Sequence, residues 1–322
     1  MAGQYPPPAP APAPAPPRLP GQRPGEYRYT PPRRGPRRTT GGTVAGLVGV
    51  LAAFVVLAIV GFWLFGDGDG TTRGPGLGRQ PAASRADATD NRLYATGALT
   101  PVACRIPAID QAPASMRRFM DALSDCLDAS WRTQFGKASM AFSPPKRVFW
   151  ETSGRSPCGT YPNPGASAFY CPANNTMYVG LRHVVETSGG EPLSNFTVFA
   201  RVIAHEYGHH VQERAGILRY GHRQMETAST ATARMETSRR IELQAQCLAG
   251  AFLGAERRAM GITRRQYLAM MEDVRGRGDE RLPPDQRDHG SSRNYAGWVA
   301  IGFRGDGLAV CNTWTAPPRA VG

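Results

Sequence analysis

Lysine is nearly missing from this chain: only Lys137 and Lys146 occur among 322 residues, so the formal net charge of +13 rests on arginine. The arginines are unevenly placed. Residues 1–42 hold Arg18, Arg23, Arg28, Arg33, Arg34, Arg37 and Arg38 against a single acid, Glu26. Cysteine is absent before residue 104, and the pattern CxxC occurs nowhere. That excludes the zinc-knuckle class, whose ligands come as closely spaced cysteine pairs. Charge is absent altogether from Thr43 to Phe65, TVAGLVGVLAAFVVLAIVGFWLF. At ~1.5 Å per residue this run spans roughly 34 Å as a helix, enough for a hydrocarbon core of ~30 Å.

The run is too long, and starts too deep in the chain, for a cleaved signal peptide. It reads as one transmembrane helix. Arginines precede it and GDGDG follows it, so the positive-inside bias puts the N-terminus in the cytoplasm and the rest outside a bacterial cell membrane. A membrane neighbour, rather than nucleic acid, accounts for the basic tail. Within that tail, Pro6 to Pro17 alternates proline with alanine and reads as an extended polyproline spacer. Residues 66–100 have no apolar period and read as a flexible stalk, leaving 101–322 as the folded domain. All six cysteines (Cys104, Cys126, Cys158, Cys171, Cys247 and Cys311) fall in that domain. An even number on the oxidising side of a membrane predicts disulfides. Neighbour pairing is expected: 104 with 126, 158 with 171, 247 with 311.

In the folded part, Met116, Phe119, Met120, Leu123, Leu127 and Trp131 recur at helical spacing. RVFW (147–150), AFYCP and TMYVGL (176–181) have strand character, with ANN as the turn between the last two, so a small antiparallel sheet is expected. A helix then runs from Ser194 as N-cap to Gly216 as its stop. Two more cover roughly 237–260 and 263–274. Strands first and helices later define an α+β class.

Three of the six histidines lie in HEYGHH, 205–210. On a helix, residues i and i+4 share a face, so His205 and His209 can present two imidazoles to one ion. Glu206, rotated by about 100°, is displaced from ligation and placed to serve as a general base. His210 points away and is expected to pack or hydrogen-bond. An extended HExxHxxGxxH site is excluded, because Gln212 and Ala215 stand where glycine and histidine would be needed. Catalytic zinc takes three protein ligands. The third is then a downstream carboxylate: Glu226, Glu236 or Glu242. Glu242 opens an apolar-faced helix suited to pack on the first, whereas the other two sit in a Thr/Ser-rich connection.

HEYGHHVQ followed by RRIELQAQCLAG, with CGTYP and FYCP upstream and DHGSS and CNTW near the end, resembles the bacterial neutral zinc metallopeptidase family. The resemblance covers nearly all of 101–322. It implies a zincin-like fold, one Zn²⁺ held by His205, His209 and Glu242, and Glu206 as catalytic base. Relatives typically read ELQAD, and this chain has Gln246 at the last position. A carboxylate there receives the free N–H of a ligand histidine, so Gln246 is expected as a weaker, uncharged partner.

The expected reaction is hydrolysis of a peptide bond in a peptide or protein substrate. TMYVGL is the strand expected to hold the peptide by edge pairing. Tyr178 and His289 are candidate donors to the tetrahedral oxyanion. The competing reading is a peptidase-like scaffold without turnover, which the Gln246 departure keeps open.

Overall fold

The computed structural model describes residues 83–162 and 166–322. The tail, the apolar run 43–65 and the first part of the expected stalk lie outside the described residues. Among the described residues no helix is long and apolar enough to cross a membrane.

Proline at the first turn, where its missing N–H costs nothing, opens the long helix Pro113–Lys137. Helices and strands otherwise follow in the order α1 (Arg85–Thr89), α2 (that long helix), β1 (Lys146–Trp150), β2 (Gly154–Ser156), β3 (Gly159–Tyr161), β4 (Ala168–Cys171) and β5 (Thr176–Gly180). Then come α3 (His183–Glu186), α4 (Thr197–Arg214), α5 (Ile217–Glu226), α6 (Ala231–Ala255), α7 (Arg264–Arg275) and α8 (Ser292–Arg304). The α+β class holds.

Several expectations change. The sheet is mixed, not antiparallel: its order is β1-β5-β4, with β1 parallel and β4 antiparallel to β5. β2 and β3 form a separate two-stranded antiparallel sheet. β5 is therefore the central strand, and both of its edges are already paired. TMYVGL cannot receive a substrate strand. Ser194 does not cap α4, whose N-cap is Phe196 without a side-chain bond. Gly216 does end it, in the left-handed region at φ +83°, and α5 starts at the next residue. The last of the sequence-derived helices begins where it should, on the Thr263–Gln266 capping box.

Residues 83–100 are not stalk. Ala88, Leu93 and Leu99 are buried in the main core. Asn91 Nδ2 bridges from this segment to the Ala215 carbonyl at the end of α4, at 3.0 Å. The three disulfides join Cys104 to Cys126, Cys158 to Cys171 and Cys247 to Cys311, as expected from neighbour pairing.

α4 is buried nearly all round, as a helix at the centre of a core must be. α2 lays Phe119, Met120, Leu123 and Leu127 into the same core. α6 crosses α4 closely: a methyl group on Gly208 would lie 3.0 Å from the Ala245 carbonyl oxygen. On its other side α6 meets α8 backbone to backbone, where a methyl group on Gly250 would lie 2.3 Å from the Val299 carbonyl oxygen.

Candidate metal centre

The close α4–α6 crossing brings together residues that are far apart in sequence. His205 Nε2 lies 3.2 Å from Glu242 Oε2, and His209 Nε2 lies 3.5 Å from the same oxygen. The two Nε2 atoms are 3.2 Å apart. A tetrahedral ion with ligands ~2.0–2.1 Å away would hold them about 3.3–3.4 Å apart. The triangle fits that size, and two imidazoles with one carboxylate suit zinc. The structure thus selects Glu242 among the three carboxylates. Glu226 ends α5, and Glu236 pairs with Arg240 at 2.8 Å one turn along α6.

The electrostatics follow from burial. Without an ion, burial drives His205 down to about 4, only partly offset by its hydrogen bond to Glu242. Burial also works against the charged form of His209, but Glu242 and Glu206 outweigh it and hold that imidazole up at about 9. Burial opposes the Glu242 carboxylate too, yet the charge on His209 and the hydrogen bonds from both imidazoles keep it well below its usual range. A charged His209 thus sits against an ionised Glu242 with His205 neutral, and a cation at this point would displace the proton from His209.

Glu206 is 8 % exposed and takes no part in the triangle. Burial raises it to about 7, with Glu242 adding and His209 and the Tyr170 main-chain amide opposing. That amide comes from β4. Gly180 N–H bonds the Ser167 carbonyl at 2.8 Å, and Phe169 is paired opposite Tyr178. In antiparallel pairing the bonded residues alternate, so the N–H and C=O groups of Ala168 and Tyr170 face away from β5. Among the described residues no strand pairs with that side of β4, where the Tyr170 N–H faces Glu206.

The remaining expected residues divide. His210 is held between the Ser143 carbonyl (2.8 Å) and the Tyr170 hydroxyl (3.1 Å), buried and away from the triangle, as expected. His289 Nδ1 lies 2.5 Å from Asp288 Oδ1. Burial opposes its charge, but Asp288 outweighs that and, with Glu242 and Asp279 adding, holds it at about 9. Its ring lies 5.4 Å from that of Tyr295, whose hydroxyl accepts from Gln246 on the helix that carries Glu242. Tyr178 is not brought there: its ring stacks on Phe169 at 4.7 Å and its hydroxyl accepts from Asn174 Nδ2. It sits in a cluster with Trp150 and Cys171, while Met177, its neighbour along the strand, belongs to the main core.

Gln246 also departs from expectation. Its Nε2 donates to the Tyr295 hydroxyl at 2.5 Å, and it bonds neither ligand histidine. Among the described residues its Oε1 is buried without a partner, and so is His205 Nδ1. The partner of His209 Nδ1 is Gln212, at 3.0 Å, which sequence reading considered only as a missing glycine. Its spacing, one turn after His209, was the available signal.

Fold and donor set together define an HExxH metal centre completed by a glutamate from a neighbouring helix. The family model described as "Putative neutral zinc metallopeptidase" matches residues 36–314, and the chain belongs to that family. Relatives include the protein YpfJ of Escherichia coli K12, 31% identical over 209 residues that make up 61% of this chain and 71% of YpfJ. Another is Rv2575 of Mycobacterium tuberculosis H37Rv, 29% identical over 171 residues, 46% of this chain and 55% of the relative. Both carry the description uncharacterized. No solved structure matches the chain.

Proposed function

We propose that this protein is a zinc-dependent peptidase anchored in a bacterial cell membrane by residues 43–65, with residues 83–322 on the extracytoplasmic side. The observation that carries the catalytic reading is the convergence of His205, His209 and Glu242 within 3.5 Å beside an unligated, buried Glu206. The anchoring rests on the uncharged run, the arginines ahead of it and the disulfides beyond it.

His205, His209 and Glu242 would hold the ion. When bound, zinc supplies Lewis acidity toward a water and a substrate carbonyl. The chain's own groups do the rest. The outward N–H of Ala168 and the outward C=O groups of Ala168 and Tyr170 pair an extended peptide along the edge of β4 away from β5, while the Tyr170 N–H stays on Glu206. Glu206 takes a proton from the attacking water and returns it to the leaving amine as the C–N bond breaks. His289, held charged by Asp288, donates to the developing oxyanion. Burial of Glu206 keeps its proton affinity close to that of a shuttle working near neutral pH.

The test is cleavage of a peptide library by the full chain and by Glu206→Gln, with zinc content measured on both. The expected result is equal zinc and a loss of cleavage by a factor of about 10²–10⁴ in the variant. Zinc in both without cleavage in either would favour the scaffold reading.

A further inference from the structure

Gln212 stands one turn after His209 on α4, its carboxamide oxygen 3.0 Å from His209 Nδ1. An amide can offer a neighbour either its oxygen or its NH₂. Here the choice is forced from outside. Gln212 Nε2 donates to the Ile241 carbonyl at 2.9 Å and to Gln244 Oε1 at 2.9 Å. A carbonyl only accepts, so the NH₂ group must face Ile241 and the oxygen must face His209. Gln244 is fixed in turn. Its Nε2 donates to the Cys311 carbonyl at 3.1 Å and to the Tyr94 hydroxyl at 2.7 Å. Its Oε1 also accepts from the Trp314 indole N–H at 3.3 Å, a group that only donates. The Tyr94 hydroxyl gives its proton to the Ala88 carbonyl at 2.9 Å, leaving its oxygen to accept from Gln244. Each group in the chain has one permitted orientation. Gln212 and Gln244 are both 0% exposed, so no solvent competes.

We propose that this relay fixes His209 as the Nδ1–H tautomer and so reserves its Nε2 lone pair for the metal. Gln212 is the positioning residue, and Gln244, Trp314 and Tyr94 act through it. The inference rests on the zinc reading of the site and adds to it a dependence on residues outside the HExxH motif. His209 and His205 are then unlike: the first has a fixed outer partner and the second has none among the described residues. Loss of an outer partner typically weakens metal binding ~10–100-fold.

Two substitutions separate positioning from packing. Gln212→Met keeps the bulk but offers no amide oxygen. Gln212→Glu keeps an oxygen toward His209 but turns its second oxygen on the Ile241 carbonyl, which costs fold stability. In the full-length chain, zinc affinity is read by chelator competition, and thermal midpoint is read on the metal-free form. The relay predicts that Gln212→Met binds zinc ~10–100-fold more weakly, with a midpoint no lower than that of Gln212→Glu. It predicts that Gln212→Glu loses midpoint while holding zinc close to wild type. Cobalt(II)-loaded protein should retain the exchangeable imidazole N–H signal of His209 in Gln212→Glu and lose it to exchange in Gln212→Met. If either variant fails to fold, Trp314→Phe, which removes the terminal donor together with part of a ring packed on Tyr220, should still weaken zinc binding a few-fold. Zinc affinity that falls with the midpoint in both variants, or Gln212→Met binding as wild type does, would overturn the relay. A wild-type chain that takes up no zinc would instead overturn the metal reading.

Discussion

His205 and His209 lie one turn apart on α4 yet differ in what stands behind them. His209 Nδ1 has Gln212, whereas His205 Nδ1 and Gln246 Oε1 are each buried without a partner among the described residues. Two complementary orphans on facing helices are a cost that a carboxylate at 246 would remove, because an ionised acceptor both bonds the imidazole and raises its basicity. Gln246→Asp should therefore tighten zinc retention by about tenfold in a chelator titration; unchanged or looser retention would contradict this. His289 gives the second residue-level expectation. Its charge is lost as pH rises through about 9. A raised value means that the cation's contribution to stability is fully present below the ordinary ~6.5 and disappears toward the alkaline side. If His289 donates to the oxyanion, kcat/KM for a peptide should fall through the same range. Asp288→Asn should then move that alkaline limb about two pH units toward neutral. A limb that stays put would remove His289 from the reaction.

Among the elements, what could be read in the sequence was what repeats locally. α2 shows its face in Met116, Phe119, Met120, Leu123 and Leu127, and α4 shows His205 and His209 at one-turn spacing. The place of β5 could not be read, because whether a strand is central depends on partners the strand itself does not encode; its pairing with β1 is parallel and non-local. Tyr178 was misassigned for the same reason, since only the register shows that it faces Phe169 and not α4. α5 went unread although its buried Ile217, Leu218, Gly221 and Met225 recur at helical spacing, because it is short and starts directly behind the Gly216 stop. α6 links site to core: Glu242, Gln246 and Gly250 sit on successive turns, with Cys247 next to Gln246, and they meet different neighbours. Because a methyl group on Gly250 would press against the Val299 carbonyl, Gly250→Ala should lower stability by about 1–3 kcal/mol in denaturant unfolding. An unchanged midpoint would mean that α6 and α8 can separate freely.

Across the molecule, segments from both ends of the described chain meet behind the metal centre. Tyr94 arrives from a stretch that composition alone assigned to a stalk, and Trp314 from beyond the last long helix; both reach Gln244. Their own polarity and the glycine-rich stretch 66–82 ahead of them made residues 83–100 look unstructured, while Leu93 and Leu99 were too few to show a period. The cysteine pairing was legible because each bridge joins sequence neighbours. The third ligand was legible only as a choice among carboxylates, narrowed by family resemblance and selected by the helix crossing. The most direct measurement is zinc K-edge X-ray absorption on the zinc-loaded full chain. Two imidazole nitrogens and a carboxylate oxygen at ~2.0–2.1 Å, with one imidazole lost in His205→Ala, is the predicted result. Scattering from oxygen alone, or a sulfur shell at ~2.3 Å, would contradict it.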